Sequence, residues 1–180
     1  MVLLNQASAL RDPQLVQSCE DIVSQDYSFF SSVYPQFSNW FADRVLPGIA
    51  RAERTIVLEE RCGKVVGFLI LKHTASERKL CTLRVRNELQ NRGLGIRLFE
   101  TAFRVLETEK PLLSVADVNL GAFEKIFRYF NFSSGYAYRD LYRPGSTEFS
   151  FNGQLVDRFA YPQVDCEPAK DHLHRAAIHY

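Results

Sequence analysis

The feature that most constrains this 180-residue chain is a change of hydrophobic period across one short glycine-containing turn. Before the turn, residues 79–86 alternate with the two-residue period of a strand, with Cys81, Leu83 and Val85 on one face. After it, residues 94–108 repeat apolar side chains at the three- and four-residue spacing of an amphipathic helix. The turn therefore joins a strand to the N-terminus of a helix.

This turn has a composition that suits an anion. Gly93 and Gly95 let the backbone approach a ligand without a Cβ atom, and a helix N-terminus exposes unpaired amides and a positive dipole end. Arg92 adds a charge, and Gln90 offers a side-chain amide. Glycines at this spacing also open helices for packing reasons alone. The turn is neither a Walker P-loop, which would continue with Gly-Lys-Ser/Thr, nor a complete three-glycine dinucleotide fingerprint.

Helices are predicted before this strand, and a hairpin leads into it. Asp12 followed by a proline is a good helix start, and a second helix is expected over residues 38–51 with a bend or stop at Pro47. Residues 55–59 and 65–72 read as two strands of a hairpin. The aromatic residues between positions 26 and 41 are interpreted mainly as packing for these helices, with an apolar or stacking pocket as the alternative.

The same reading continues after the glycine-containing helix. A strand is expected over residues 112–115, then a helix capped by Asn119 or a neighbour and running through Tyr129, then two strands around 136–141 and 147–151. This order predicts an α/β fold with a central mixed sheet covered by helices on both faces. We expect one domain over residues 1–155 and a loosely ordered C-terminal extension over 156–180.

Composition narrows the choice of partners. The 22 Lys and Arg residues nearly balance 21 Asp and Glu, so nucleic acid is not the expected partner. The longest apolar run, residues 65–71, is far short of the ~20 residues that span a bilayer. The four cysteines form no Cys-x-x-Cys pair, and the first residues do not resemble a signal peptide. A cytoplasmic location is the resulting expectation.

With its flanking residues, the turn resembles the acyl-CoA motif of the GNAT N-acetyltransferases, Val-x-Pro-x-x-Gln/Arg-x-x-Gly-x-Gly/Ala. The family's residues fall on Val85, Gln90, Gly93 and Gly95, while Asn87 stands where proline is common. The resemblance implies a mostly antiparallel sheet that splays open beside this strand and holds acetyl-CoA. The implied contacts are strand residues Leu83, Arg84 and Val85 for the pantetheine arm, and turn residues Gln90, Asn91, Arg92, Gly93, Leu94, Gly95 and Ile96 for the pyrophosphate.

A second family motif is matched less closely. It places Asn119 at the end of the fifth strand as a further cofactor contact, and Asn131 stands where the family usually has glycine before phenylalanine. The match is one residue out of register, so the tyrosine that often protonates the departing thiolate falls on Ile126 or Phe127. Tyr129, one helical turn beyond Ile126, is therefore the candidate general acid.

No general base can be assigned from the sequence. The positions where the family carries a base fall on Lys79 and Ser114, and His73 is a lone strand-end histidine. Nearby Glu59, Glu60, Glu77 and Glu88 are interpreted as solvated surface charges. The tail residues Cys166, His172, His174 and His179 have no standard metal-site spacing, so no metal is expected.

The resemblance implies an acyltransferase that moves the acetyl group of acetyl-CoA to a primary amine of a small molecule or peptide. Two alternatives stay open: an RNA-directed acetyltransferase acting on aminoacyl-tRNA, and a catalytically silent acyl-CoA sensor. The sequence does not identify the acceptor or the oligomeric state, for which a homodimer is one option.

Overall fold

The first sheet is built on a tight hairpin turn at Cys62 and Gly63, whose φ angles of 49° and 72° suit a two-residue connection. In the computed structural model, which describes residues 1–155 and 166–169, the chain divides into two compact units, Met1–Pro111 and Leu112–Tyr180. The division at Pro111 was not predicted, and the domain end at residue 155 stays a prediction. The strands of the first unit are β1 (Val2–Leu4), β2 (Arg54–Arg61), β3 (Lys64–His73) and β4 (Arg78–Val85).

The helix after Asp12 begins where the sequence indicates. Asp12 accepts a hydrogen bond from the Gln14 amide at 3.1 Å and caps the helix that Pro13 opens, as predicted. The described helices here are α1 (Gln6–Arg11), α2 (Pro13–Ser24), α3 (Tyr27–Ser31), α4 (Phe37–Trp40), a π-helical segment (Phe41–Val45), α5 (Leu46–Ala50) and α6 (Leu94–Leu106).

The predicted helix over residues 38–51 is present, and it contains a π-helical segment before Pro47. The Leu46 amide donates to the Phe41 carbonyl, five residues back instead of four. Because proline has no amide and its ring conflicts with the preceding turn, a wider turn lets the helix pass it. The expected bend therefore takes the form of a local change of helix type.

The four strands of the first sheet pair in the order β1-β2-β3-β4, all antiparallel. On one face, Phe68 of β3 packs against Phe30 of α3, with ring centroids 6.0 Å apart. Phe30 in turn stacks on Phe37 at 4.2 Å, so the aromatic residues between positions 26 and 41 pack the helices onto the sheet, as preferred from the sequence. The other face is covered by α6, whose Leu98 lies close to Gly67.

The second unit is a four-stranded antiparallel sheet with one helix. Its elements are β5 (Leu113–Ala116), α7 (Asp117–Tyr129), β6 (Ser134–Arg139), β7 (Thr147–Phe151) and β8 (Cys166–Pro168), and the strand order is β5-β7-β6-β8. Phe127 of α7 is fully buried and lies 4.3 Å from the Phe151 ring of β7. β8 pairs with β6, so part of the predicted loose extension is a strand.

The predicted α/β class with mostly antiparallel strands is confirmed. Every strand pair that the structure describes is antiparallel, with β4 at one edge of the first sheet and β5 at one edge of the second. Among the helices within residues 1–155, none is long and apolar enough to cross a bilayer.

A close backbone contact gives a test of this packing. An ideal Cβ atom on Gly67 would lie 2.6 Å from the Arg84 carbonyl oxygen, which is backbone and cannot swing aside. We expect Gly67→Ala to lower the free energy of unfolding by about 1–3 kcal/mol, measured by urea denaturation. Gly121→Ala is the matched control, because its Cβ would contact no atom within 4 Å and alanine suits a helix. Equal stability for Gly67→Ala and the wild type would refute the described strand spacing.

Candidate functional site

The turn between β4 and α6, which we call the arc, is exposed from Asn91 to Gly93, and Leu94 at the start of α6 is buried. A short 3-10 helix (Asn87–Leu89) follows β4, and the chain is then left-handed at Asn91, with φ 58°, and at Gly93, with φ 76°. Gly93 is the N-cap of α6, and a Cβ atom added there would contact nothing within 4 Å. The arc therefore has open space around the glycine that ends it.

The amides of this arc have no acceptor in the described part of the chain. The Arg97 amide donates to the Gly93 carbonyl at 3.2 Å, whereas residues 91–96 make no such bond through their own amides. Successive unpaired amides at the positive end of a 13-residue helix are donors suited to an anion. Arg92, which is exposed, adds a full positive charge.

The side chain of Gln90 is hydrogen-bonded within the loop, and its predicted contact with the cofactor stays a prediction. Its side-chain nitrogen donates to the Val85 carbonyl at 3.4 Å and to Asn87 Oδ1 at 3.2 Å. The two N–H groups of that amide are thus used within the loop. Gln90 braces the arc, and the backbone amides are left as the donors for a ligand.

The backbone amide and carbonyl groups of successive residues in β4 point to opposite edges of the strand, as they do in any antiparallel pair. The Arg84 carbonyl lies on the β3 side, beside Gly67, and the Arg86 amide donates to the Val66 carbonyl at 3.0 Å. Leu83 and Val85 consequently direct their polar backbone groups away from β3. The cofactor contacts predicted for Leu83, Arg84 and Val85 stay predictions, and this alternation favours Leu83 and Val85 as their backbone source.

The Arg84 side chain is a functional candidate that sequence reasoning did not find. It is only 8 % exposed, and it donates to Val85 O at 2.9 Å, to Asn87 Oδ1 at 3.1 Å and to Asp26 Oδ1 at 3.4 Å. Its guanidinium also lies 3.9 Å from the ring centre of Phe29. The alternation along the strand predicted only the face of the sheet on which Arg84 lies. Its contact with Asp26 could not be predicted, because Asp26 is 58 positions away in the sequence.

Asp26 joins the loop after α2 to the end of β4. Its carboxylate is 4 % exposed, and Oδ1 accepts from both Arg84 and Arg86 at 3.4 Å. The other oxygen, Oδ2, is buried with no hydrogen-bond partner among the described residues. One buried carboxylate between two guanidinium groups leaves a net positive charge at this point.

The predicted site residues of the second unit lie on α7. The helix begins at Asp117, and Ala116 is its N-cap, without a side-chain hydrogen bond. Asn119 lies in the first turn of the helix and is not the cap. Tyr129 is the last residue of α7, is 66 % exposed and lies edge-on to Phe130. It is about half a turn from the buried Phe127, so its hydroxyl is on the outer face of the helix.

The structure gives partners to three of the residues considered as bases. Glu77 forms an ion pair with Lys72 and its side chain is only 9 % exposed, so its interpretation as a solvated surface charge is wrong. Glu59 is 8 % exposed and accepts from Arg97 at 3.1 Å, so its interpretation as a solvated surface charge was wrong. His73 Nε2 lies 3.0 Å from the Thr55 hydroxyl, a contact that fixes the end of β3. None of these three arrangements identifies a base.

The described residues contain no group of three or more metal-ligating side chains. Of the tail residues considered for metal binding, Cys166 lies in β8, and His172, His174 and His179 lie outside the described residues.

The Asp26 carboxylate gives a prediction for stability. We expect Asp26→Asn to lower the free energy of unfolding by about 1–3 kcal/mol, because Arg84 would keep its burial and lose its charged partner. Thermal and urea denaturation measure the change. Asp43→Asn, at an exposed position of the π-helical segment, is the matched control and should behave as the wild type. A stability of Asp26→Asn equal to that control would contradict the described pairing.

Comparison with known proteins gives a fold. No family model matches the chain, and no curated protein is similar enough to match it. Among solved structures, it is similar to an acetyltransferase described as a GNAT family member from Desulfovibrio desulfuricans, with a TM-score of 0.52 and 15 % identity over 62 % of this chain and 74 % of that one.

Two further structures agree with the first. A GNAT family acetyltransferase from Elizabethkingia anophelis with acetyl-CoA bound gives a TM-score of 0.50 and 12 % identity over 62 % of this chain and 79 % of that one. Nourseothricin acetyltransferase gives 0.50 and 18 % over 56 % of this chain, and the match spans 65 % of that protein, just under two thirds. Sequence identities this low support a shared fold and nothing more specific. The chain has the fold of the GNAT acetyltransferases.

Proposed function

We propose that this protein is an acyltransferase that binds acetyl-CoA and moves its acetyl group to a primary amine of a small molecule or peptide. The observation that carries the proposal is the arc of unpaired amides at residues 91–96, at the N-terminus of α6 and directly after the edge strand β4. A protein with the same fold has acetyl-CoA bound, and the pyrophosphate of that cofactor is the ligand proposed for these amides.

The residues proposed to hold the cofactor fit its chemistry. The arc supplies several backbone donors to a pyrophosphate, Arg92 supplies charge, and Gly93 leaves room for the phosphate oxygens. The outward amide and carbonyl of Leu83 and the outward amide of Val85 are the proposed partners of the amide-containing pantetheine arm. The Val85 carbonyl already accepts a hydrogen bond from Arg84 Nη1 at 2.9 Å. Asn119, half-buried and without a hydrogen-bond partner in the described part of the chain, stays the proposed contact from the second unit.

The chemical step needs little from the protein beyond alignment. Bound acetyl-CoA supplies an activated acetyl group, whose transfer to a neutral amine gives an amide and free CoA. The chain must hold the amine in line, accept its proton and return a proton to the thiolate. No described side chain is assigned as base, so water-mediated proton transfer is the simplest proposal.

The second candidate function is a protein that binds acetyl-CoA without turning it over. The exposure of Tyr129, the candidate general acid, favours this alternative. Incubation of the protein with acetyl-CoA and a panel of primary amines separates the two, because release of free CoA above the buffer rate requires an enzyme.

The proposed location is the cytoplasm, which agrees with four cysteines that are all free thiols.

Our first prediction for this function concerns the arc. We expect Gly93→Glu to abolish binding of acetyl-CoA in isothermal titration calorimetry, because the carboxylate would occupy the open space and repel the pyrophosphate. Gly145→Glu is the matched control: φ is 75° there against 76° at Gly93, and both sites are open. The control should bind acetyl-CoA as the wild type does. Retained binding by Gly93→Glu would move the anion site elsewhere.

A second prediction concerns the proton for the thiolate. A positioned general acid contributes about 10²-fold or more to turnover. Because the Tyr129 ring is 66 % exposed and the hydroxyl has no described partner, we expect Tyr129→Phe to turn over as the wild type does, with solvent as the proton source. A loss of about 10²-fold in kcat with unchanged acetyl-CoA affinity would restore Tyr129 as the acid.

A further inference from the structure

The first unit contains a second concave site, on the side of β4 where the Arg84 side chain lies. The cavity has a volume of about 550 Å³ and lies over the ends of β3 and β4 and the turn between β2 and β3. Its walls carry four cationic side chains, one carboxylate and two side-chain amides: Arg61, Lys64, Arg84, Arg86, Glu88, Gln25 and Asn87. We call it the basic pocket.

Arg84 gives this pocket a rigid cation. The side chain is 9 % exposed and is fixed by four partners: Asp26, Asn87, the Val85 carbonyl and the Phe29 ring. These bonds use Nε and Nη1, while Nη2 has no hydrogen-bond partner among the described residues and is not sealed from solvent. An arginine that is already oriented, with N–H groups still free, is suited to a planar or tetrahedral oxyanion.

Arg86 stands beside it with more freedom. Its Nη1 reaches Asp26 and its Nη2 reaches Gln25, both at 3.4 Å, and the side chain is 26 % exposed. Bonds of this length leave the group able to turn towards a stronger acceptor. Since Asp26 neutralises only one of the two guanidinium groups, the pocket keeps an excess of positive charge.

The basic pocket is separate from the amide arc. Arg84 pairs with Phe68, so its side chain lies on the face that carries α2 and α3, whereas Val85 pairs with Gly67 on the face covered by α6. The pyrophosphate of the cofactor already has the arc at the N-terminus of α6. A second anion site beside the same strand therefore serves a second anionic group.

We infer that the basic pocket binds an oxyanion, a carboxylate or phosphate, carried by the acceptor amine. This inference rests on the proposed function and gives it a substrate class: amines that bear an acidic group. The alternative source of the same chemistry is the 3′-phosphate of acetyl-CoA, and the experiment distinguishes the two.

The test uses amines in matched pairs, each pair an amino acid and its decarboxylated amine or an amino alcohol and its phosphate ester. With saturating acetyl-CoA, we expect the acidic member of a pair to have the higher kcat/KM. Arg86→Gln should reduce that kcat/KM about tenfold or more, through KM. Tenfold corresponds to about 1.4 kcal/mol, near the lower end of what one charge-assisted hydrogen bond contributes. Lys125→Gln, at an exposed position of α7 outside the pocket, is the matched control. Equal use of both members, unchanged in Arg86→Gln, would overturn the inference and leave the acyltransferase proposal intact.

Calorimetry with acetyl-CoA and with its analogue lacking the 3′-phosphate identifies the source of the anion. We expect Arg86→Gln to bind both with wild-type affinity. Weaker binding of acetyl-CoA alone would assign the pocket to the cofactor and refute an acceptor site.

The pocket is also testable without turnover. Titration of inorganic phosphate into Gly93→Glu, whose arc is blocked, should give a binding signal that the additional change Arg86→Gln removes. A signal that persists in the double variant, or no signal in either, would overturn the inference even if the protein proves to be an acetyltransferase.

Discussion

The buried ion pair between Arg84 and Asp26 is the interaction on which the candidate site depends. It ties the loop after α2 to the last residues of β4, through an arginine side chain that is 9 % exposed. Removing a guanidinium from water is costly, and here the cost is offset by a carboxylate, two neutral oxygens and an aromatic face. The same arginine donates a hydrogen bond to the outward Val85 carbonyl, so that carbonyl is not available to a ligand.

Two donor surfaces of different kinds follow from this arrangement. On one side, the backbone amides at residues 91–96 need no side chain, which is why a glycine at φ 76° can end the turn. On the other side, the basic pocket relies on side chains that the fold has already oriented. A strand edge between them is a natural place to bring two anionic ligands together, and this is the physical basis of the proposed reaction.

The sequence predicted those features that depend on neighbours in the chain. The cap at Asp12, the hairpin after residue 54 and the strand–turn–helix around Gly93 all follow from local preferences, and all are present. Features set by distant partners were missed. The burial of Arg84, the Arg97 partner of Glu59 and the strand formed by Cys166 each need a residue at least 28 positions away. The resemblance to a known motif predicted the fold correctly, but it could not give the exposure of Tyr129.

The central claim is that the backbone from Asn91 to Ile96 receives the cofactor's phosphates. Hydrogen exchange of individual amides, followed by NMR with and without acetyl-CoA, measures this directly, because an amide that donates to a bound phosphate exchanges more slowly. The account predicts slower exchange at these six positions on binding, while the exposed turn at Gly145 stays unchanged. Binding of acetyl-CoA with no protection between residues 91 and 96 would contradict it.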